Sequence, residues 1–214
     1  MYVALLRGVN VGGKHLVPMK DLATLFTREG CERVRTYIQS GNVIFDAEPE
    51  TLRGLPDRIS QRILGRFGCK SPVIVRSTAE LRRVVYNNPF LTPEATQELG
   101  GHAALGSSMA TTNAAQPPLI VSEPSRTAAP AFTEEMLHVF FLAHSPTEDA
   151  LSQLDHDRSL PDTFHVRGKE IYVQLPRGVA YTKLTNSYFD SYLGTVSTSR
   201  NWRTVRKLAE LAGA

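Results

Sequence analysis

The chain has 214 residues, of which 42% are hydrophobic and 21% charged, with a formal net charge of +3. That balance suits a globular protein of one large or two small domains, and apolar runs of about five to seven residues are too short to span a membrane. The charge is uneven. Residues 1–88 hold 14 Lys/Arg against 8 Asp/Glu, residues 89–135 hold 1 against 5, and residues 136–214 hold 9 against 8. An anionic partner would be drawn to the first segment, and a solvated arginine-rich surface is the other explanation.

Strand-like sequence begins at once, with the apolar run Tyr2–Leu6. It leaves no room for a signal peptide. Pro18 suits the opening of a helix, Met19, Leu22, Leu25 and Phe26 recur at helical spacing, and Gly30 ends the pattern. Val34, Thr36 and Ile38 alternate with Arg35 and Tyr37 as a half-buried strand. Gln39-Ser40-Gly41-Asn42 is a turn, and Val43–Phe45 the return strand. A second helix carries Leu55, Ile59, Ile63 and Phe67, starting near Pro56 and closing at Gly68. Val73–Val75 reads as a fourth strand. Ser77-Thr78-Ala79-Glu80 is a capping box for a helix that stops before Asn88-Pro89.

Residues 101–131 are dominated by Gly, Ala, Ser, Thr and Pro and read as a flexible linker or insertion. The element order then repeats. Leu137–Ala143 is a strand, and Ser145-Pro146-Thr147-Glu148 reads as a capping box for a helix reaching about Leu154. Phe164 and Val166 mark a strand, Arg167-Gly168 a tight turn, and Ile171, Val173 and Leu175 the return. A helix with Leu184, Tyr188, Phe189 and Tyr192 ends at Gly194. Thr195–Ser197 can be a short strand, and Trp202, Val205, Leu208 and Leu211 mark a closing helix. Each half therefore runs β-α-β-β-α-β plus a helix, the ferredoxin-like order. The expectation is an α+β protein of two tandem ferredoxin-like modules with antiparallel sheets. Its domains are 1–88 and 136–214, joined by the linker or insertion 89–135. Arg35 and Tyr37 in one half, and His165, Tyr172 and Gln174 in the other, fall on the open sheet faces. Two such faces either pack together or form a cleft.

Three stretches stand out for chemistry. Gly8 to Lys14 spells G-x-x-x-x-G-K, the letters of a phosphate loop. His15 stands where Ser or Thr should hold magnesium, and Pro18 would fall inside the helix that loop requires. A looser anion nest of glycine amides with Arg7, Asn10 and Lys14 remains open, as does a structural loop in which the glycines supply positive φ. The second stretch, Tyr37-Ile38-Gln39-Ser40-Gly41-Asn42, is either a turn alone or a turn that presents Tyr37, Gln39, Ser40 and Asn42. The third, Thr198-Ser199-Arg200-Asn201-Trp202, offers helix caps, and Arg200 beside Trp202 suggests a cation-π pair or an anion contact.

Several chemistries lack their motifs. The six histidines and two cysteines show no metal spacing, and no Gly-x-Ser-x-Gly elbow occurs. The aromatic positions of an RNA recognition motif are filled by Asn42 and Ile44 in one half and Lys169 and Ile171 in the other. No metal or cofactor is expected, and the free cysteines point to a reduced, cytoplasmic compartment.

The stretches ALLRGVNVGGKHLVPM, VRTYIQSGNVIF and TSRNWRTVRKL together resemble the bacterial family called domain of unknown function 1697. The resemblance implies an α+β protein with ferredoxin-like elements and no established activity, so it transfers no catalytic residue. The family's Ser-Lys-Leu-like segment stands here as Thr182-Lys183-Leu184. The leading expectation is a protein binding an anionic ligand, a phosphorylated small molecule or a nucleic acid, at a loop or inter-domain cleft. The candidate residues are Arg7, Asn10, Lys14, Tyr37, Ser40, Asn42, Lys183, Arg200 and Asn201. One alternative is a metal-independent small-molecule enzyme using Tyr37, Lys183 or a histidine for acid–base chemistry. Another is a protein-interaction module. No membrane partner is expected, and the sequence leaves the oligomeric state open.

Overall fold

A computed structural model describes residues 1–12, 16–91 and 133–214. The first half runs β1 (Tyr2–Leu6), α1 (Met19–Arg28), β2 (Glu32–Tyr37), β3 (Asn42–Asp46), α2 (Pro49–Leu52), α3 (Leu55–Phe67), β4 (Val73–Ser77) and α4 (Thr78–Tyr86). After a 3-10 turn at Glu134–Met136, the second half runs β5 (Leu137–Leu142), α5 (Glu148–Ser152), β6 (Thr163–Arg167), β7 (Glu170–Gln174), α6 (Asn186–Leu193), β8 (Ser197–Asn201) and α7 (Trp202–Leu211). The two four-stranded antiparallel sheets have orders β2-β3-β1-β4 and β6-β7-β5-β8. The second is the first repeated.

The first strand of each half is buried on both sides, which explains its unbroken apolar run. Ala4 and Leu6 face a core under α1 and α3 with Leu22, Phe26, Ile59 and Ile63. Phe140 and Leu142 face a matching core with Phe164, Ile171 and Phe189. The alternate residues Val3, Leu5, Val139 and Phe141 meet in a third core shared by the two halves. The open sheet faces therefore pack together, with α4 and α7 between them. Tyr172 is 2% exposed there, and its hydroxyl donates to the Val84 carbonyl at 3.1 Å. Trp202, the chain's one tryptophan, is fully buried in the same core.

Local signals set the helix ends. Ser77 and Glu80 form both hydrogen bonds of the capping box at α4, and Gly68 closes α3 at φ +67°. Three expectations are corrected, and one element is added. Thr198 and Ser199 are not helix caps but lie with Arg200 in β8, whose ladder with β5 pairs Phe141 with Thr198 and Val139 with Arg200; only Asn201 caps α7, accepting from Thr204. Helix α5 is capped by Thr147, not Ser145. Ile38 does not continue the inward set of β2. It leaves the strand at φ +48° and is 49% exposed, past a bulge between Glu32 and Arg35 that had already shifted the register. The additional turn α2 precedes α3.

One contact between the halves carries a pH signature. Lys169 of the β6–β7 hairpin donates to Glu80 at 2.8 Å. Burial alone would raise the Glu80 carboxyl, but hydrogen bonds from Lys169 and from the Ser77 backbone and hydroxyl outweigh it and hold it at about 2, against an ordinary 4.5. A carboxyl depressed on folding stabilises above its unfolded pKa and loses that contribution as pH falls toward the folded value. With the lysine partly exposed, on the order of 2 kcal/mol should disappear between pH 4.5 and 2. Denaturant titrations across that range should show the loss in the native chain and a flatter profile in Glu80→Gln, which is less stable at pH 7.

Candidate functional site

The sequence stretches RGVN, QSGN and TSRN meet at the seam between the halves. Arg200, on β8, is 8% exposed. Its Nε donates to Asn42 Oδ1 at 2.6 Å, Nη1 to Thr198 Oγ1 and the Ser199 carbonyl, and Nη2 to the carbonyls of Leu6, Ser40 and Gly41 at 2.8, 3.2 and 3.3 Å. A guanidinium has five N–H donors, and these contacts use all of them. Burial lowers its pKa to about 10, so it remains a cation at neutral pH. Asn42 is fully buried, and its amide donates back to the Tyr37 carbonyl and Ser40 Oγ.

Arg76, on β4, repeats this arrangement in the opposite direction. Its Nε donates to Glu170 at 2.9 Å, Nη1 to the Val75 carbonyl, and Nη2 to the carbonyls of Leu142 and Lys169. Each arginine leaves the last strand of one half and grips the end of the first strand and the hairpin of the other. Leu6 matches Leu142, Gly41 matches Lys169, and Asn42 matches Glu170. The halves are thus joined by two reciprocal arginine clasps related by a pseudo-two-fold axis.

The rest of the predicted set divides. Arg7 pairs with Asp190 of α6, whose other oxygen accepts from the Ser197 amide and hydroxyl. Asn10, at φ +56°, closes its loop by accepting from the Val17 amide at 2.8 Å and donating to the carbonyls of Val17 and Gln39. Lys14 lies outside the described residues. Lys183 is exposed in a second-half loop, its amide on Ser159 Oγ and its carbonyl accepting from Arg158. Arg200 and Trp202 are not among the cation-π pairs of the described residues.

Tyr37 and Asn201 line a cleft of about 760 Å³ at the junction of β2 with α7, together with Glu134, Glu135, Arg203, Arg206, Lys207 and Glu210. Arg206 pairs with Glu134 and Lys207 with Glu210. The pseudo-symmetric junction, α4 over the β6–β7 hairpin, leaves only about 230 Å³. There Lys169 is strapped to Glu80, whereas Gly41 and Thr204 hold the equivalent positions at the wider cleft.

A second groove, of about 590 Å³, runs between α1 and α3 on the helix side of the first half. Arg28, Arg58, Arg62 and Arg66 line it with Glu29, Gln61, Leu25 and Gly65. Glu29 accepts from Arg58 at 2.7 Å and Arg62 at 3.1 Å; the Arg58 bond is the main cause holding its carboxyl below the ordinary value. Arg58 also donates to the carbonyls of Arg53 and Thr51, and Arg66 pairs with Asp21. Among the described residues Arg28 has no ion pair and the Nη groups of Arg62 have no partner. The sequence signal for this groove is the four-residue spacing of arginines on α3, which in the sequence is one part of a generally basic first half. No group of three His, Cys, Asp or Glu among the described residues is arranged to hold a metal ion, and no helix among them is long and apolar enough to cross a membrane.

The family model described as "Protein of unknown function (DUF1697)" matches residues 1–118. The chain belongs to this family. The matched region holds RGVN and QSGN, while TSRN lies beyond it. A solved structure of the conserved bacterial protein SP0830 from Streptococcus pneumoniae is similar with a TM-score of 0.57 and 18% identity, covering 100% of this chain and 98% of that one. At that identity the likeness concerns the fold, and it extends over both halves. No curated protein matches the chain.

Proposed function

We propose that the chain is a pair of ferredoxin-like modules, cytoplasmic, that binds a phosphorylated anion in the groove between α1 and α3. The observation that carries this reading is four arginines around one carboxylate, with Arg28 and the outer donors of Arg62 uncommitted among the described residues. Guanidinium forks suit phosphate oxygens. Asn42 and Arg200 support a different role, because their donors are taken up at the seam. A second reading keeps the ligand at the inter-half cleft, with Tyr37, Asn201 and Arg203, and is favoured by the openness of that junction beside its strapped duplicate.

Calorimetric titration with pyrophosphate and a nucleoside triphosphate tests both. Arg62→Ala combined with Arg66→Ala should weaken binding about tenfold or more, with Arg203→Ala unchanged. The converse result moves the anion to the cleft. Absence of binding to either probe defeats the anion reading.

A further inference from the structure

The α1–α3 groove has the form of a linear array rather than a pocket for one small anion. Arg58, Arg62 and Arg66 repeat every four residues along α3, so their Cα atoms rise by about 6 Å per step. Arg28 stands across from them on α1. A single phosphate bound by Arg28 and Arg62 would cover only part of the row, which continues to Arg58 and Arg66.

Two further observations bear on the occupant. The first is Gly65. It sits inside α3, where glycine is destabilising relative to alanine, and it lines the groove between Arg62 and Arg66. A Cβ placed there would meet nothing within 4 Å. Packing within the chain therefore does not require the missing side chain, and the space it leaves opens on the groove. The second is the field. Helices α1 and α3, with the α1 C-cap Glu29, hold Lys20, Arg28, Arg58, Arg62 and Arg66 against Asp21, Glu29 and Asp57. The corresponding helices α5 and α6 hold Glu148, Asp149 and Asp190 and no basic residue. The molecule thus presents opposite signs on its two helix layers, which steers a long anion to the first half.

We infer that the occupant of the α1–α3 groove is the phosphate backbone of a nucleic-acid strand, running along the arginine row with its closest approach over Gly65; this rests on the anion reading above. Arginine suits such a row: Arg28 and the Nη groups of Arg62 are uncommitted among the described residues and can grip phosphates, while Arg58, bonded to Glu29, Thr51 and Arg53, and Arg66, paired with Asp21, contribute positive charge along it. A membrane surface fits less well, because the groove lining offers no exposed apolar side chain to insert: Leu25 is 5% exposed. No base-edge contact is implied, so binding should be sequence-tolerant and governed by counterion release.

The test is fluorescence anisotropy with a labelled single-stranded oligonucleotide, an RNA of the same sequence and the matching duplex, over a range of salt. Competitors are a nucleoside triphosphate, inorganic polyphosphate, poly-glutamate and phosphatidylserine vesicles. At least one oligonucleotide should bind much more tightly than the triphosphate, with affinity falling steeply as salt rises. Arg28→Ala and Arg62→Ala should each lower the salt slope by about one. Gly65→Leu should weaken oligonucleotide binding while the thermal midpoint holds or rises, because leucine is the better helix former; this separates occupancy of the groove from damage to the fold. Triphosphate binding that is lost in Arg62→Ala, with oligonucleotides no tighter, would keep the anion site and overturn the nucleic-acid inference. Equal or tighter binding of poly-glutamate or vesicles would overturn it in favour of an acidic protein or a membrane surface. Oligonucleotide binding unaffected by all three substitutions would remove it from this groove.

Discussion

Replacing Arg200 with alanine is expected to destabilise the fold by about 3–5 kcal/mol, the cost typical of breaking a buried charged network. The side chain joins β8 to Leu6, Ser40, Gly41 and Asn42 of the other half. Truncation leaves Asn42 Oδ1 without its donor in a fully buried residue and opens a cavity where the guanidinium lay. Lysine should recover little, because its ammonium has three donors on a point charge and cannot reproduce the planar fork. Denaturant unfolding followed by far-ultraviolet circular dichroism and by Trp202 fluorescence would measure the loss. Arg35→Ala serves as the control, since Arg35 makes an exposed bond to the Leu211 carbonyl and should cost less than about 1 kcal/mol. An Arg200→Ala cost no larger than that of Arg35→Ala would remove the clasp from the account of stability. A double-mutant cycle with Asn42→Ala should give strong coupling, because the two residues act on one network.

The same residue marks where the sequence stopped being informative. Tyr2–Leu6, the α4 capping box and the helix-closing Gly68 are local signals, and each was legible because period and capping depend on neighbours in the chain. The repeated element order followed from them. Thr198 and Ser199 were misread as caps because cap propensity is local, whereas β8 is fixed by a ladder to β5 about 60 residues away. Ile38 was misplaced because period-two reasoning cannot see the bulge at Glu32–Arg35. Arg7, Asn42 and Arg200 all stood out as polar residues in tight loops, but the sequence left open whether they converge; Asn42 and Arg200 bond to each other, whereas Arg7 pairs with Asp190. The other partners of Arg200 are carbonyls at strand ends in the opposite half, which carry no side-chain letter that a sequence could show. The α1–α3 groove was half legible: the four-residue arginine spacing on α3 was visible, but Glu29 and Arg28 reach it only once α1 packs beside α3.

The glycine of QSGN should prove as intolerant as Arg200. Gly41→Ala is expected to cost about 3 kcal/mol or more, from two sources that add. The residue sits at φ +73°, a conformation that costs an L side chain roughly 1–2 kcal/mol. Its Cβ would also overlap Val9 Cγ2 and lie 2.7 Å from Leu6 Cβ. Neither neighbour can retreat easily. Val9 is 1% exposed in the helix-side core, and Leu6 is fixed by the hydrogen bond its backbone N–H donates to the Gly41 carbonyl at 2.8 Å. That carbonyl also accepts from Arg200, so a shift of the turn would disturb the clasp. Gly168 separates the two sources. It turns the second-half hairpin at φ +60°, and a Cβ there would meet nothing within 4 Å. Gly168→Ala should therefore cost only the conformational part, about 1–2 kcal/mol. Val9→Ala in the Gly41→Ala background should restore part of the difference, because it removes the closest neighbour and leaves Leu6 in place. Equal costs at Gly41 and Gly168 would show that close packing of the RGVN loop against the QSGN turn contributes nothing beyond backbone conformation. A larger cost at Gly41 would tie these two sequence motifs to one another through shape.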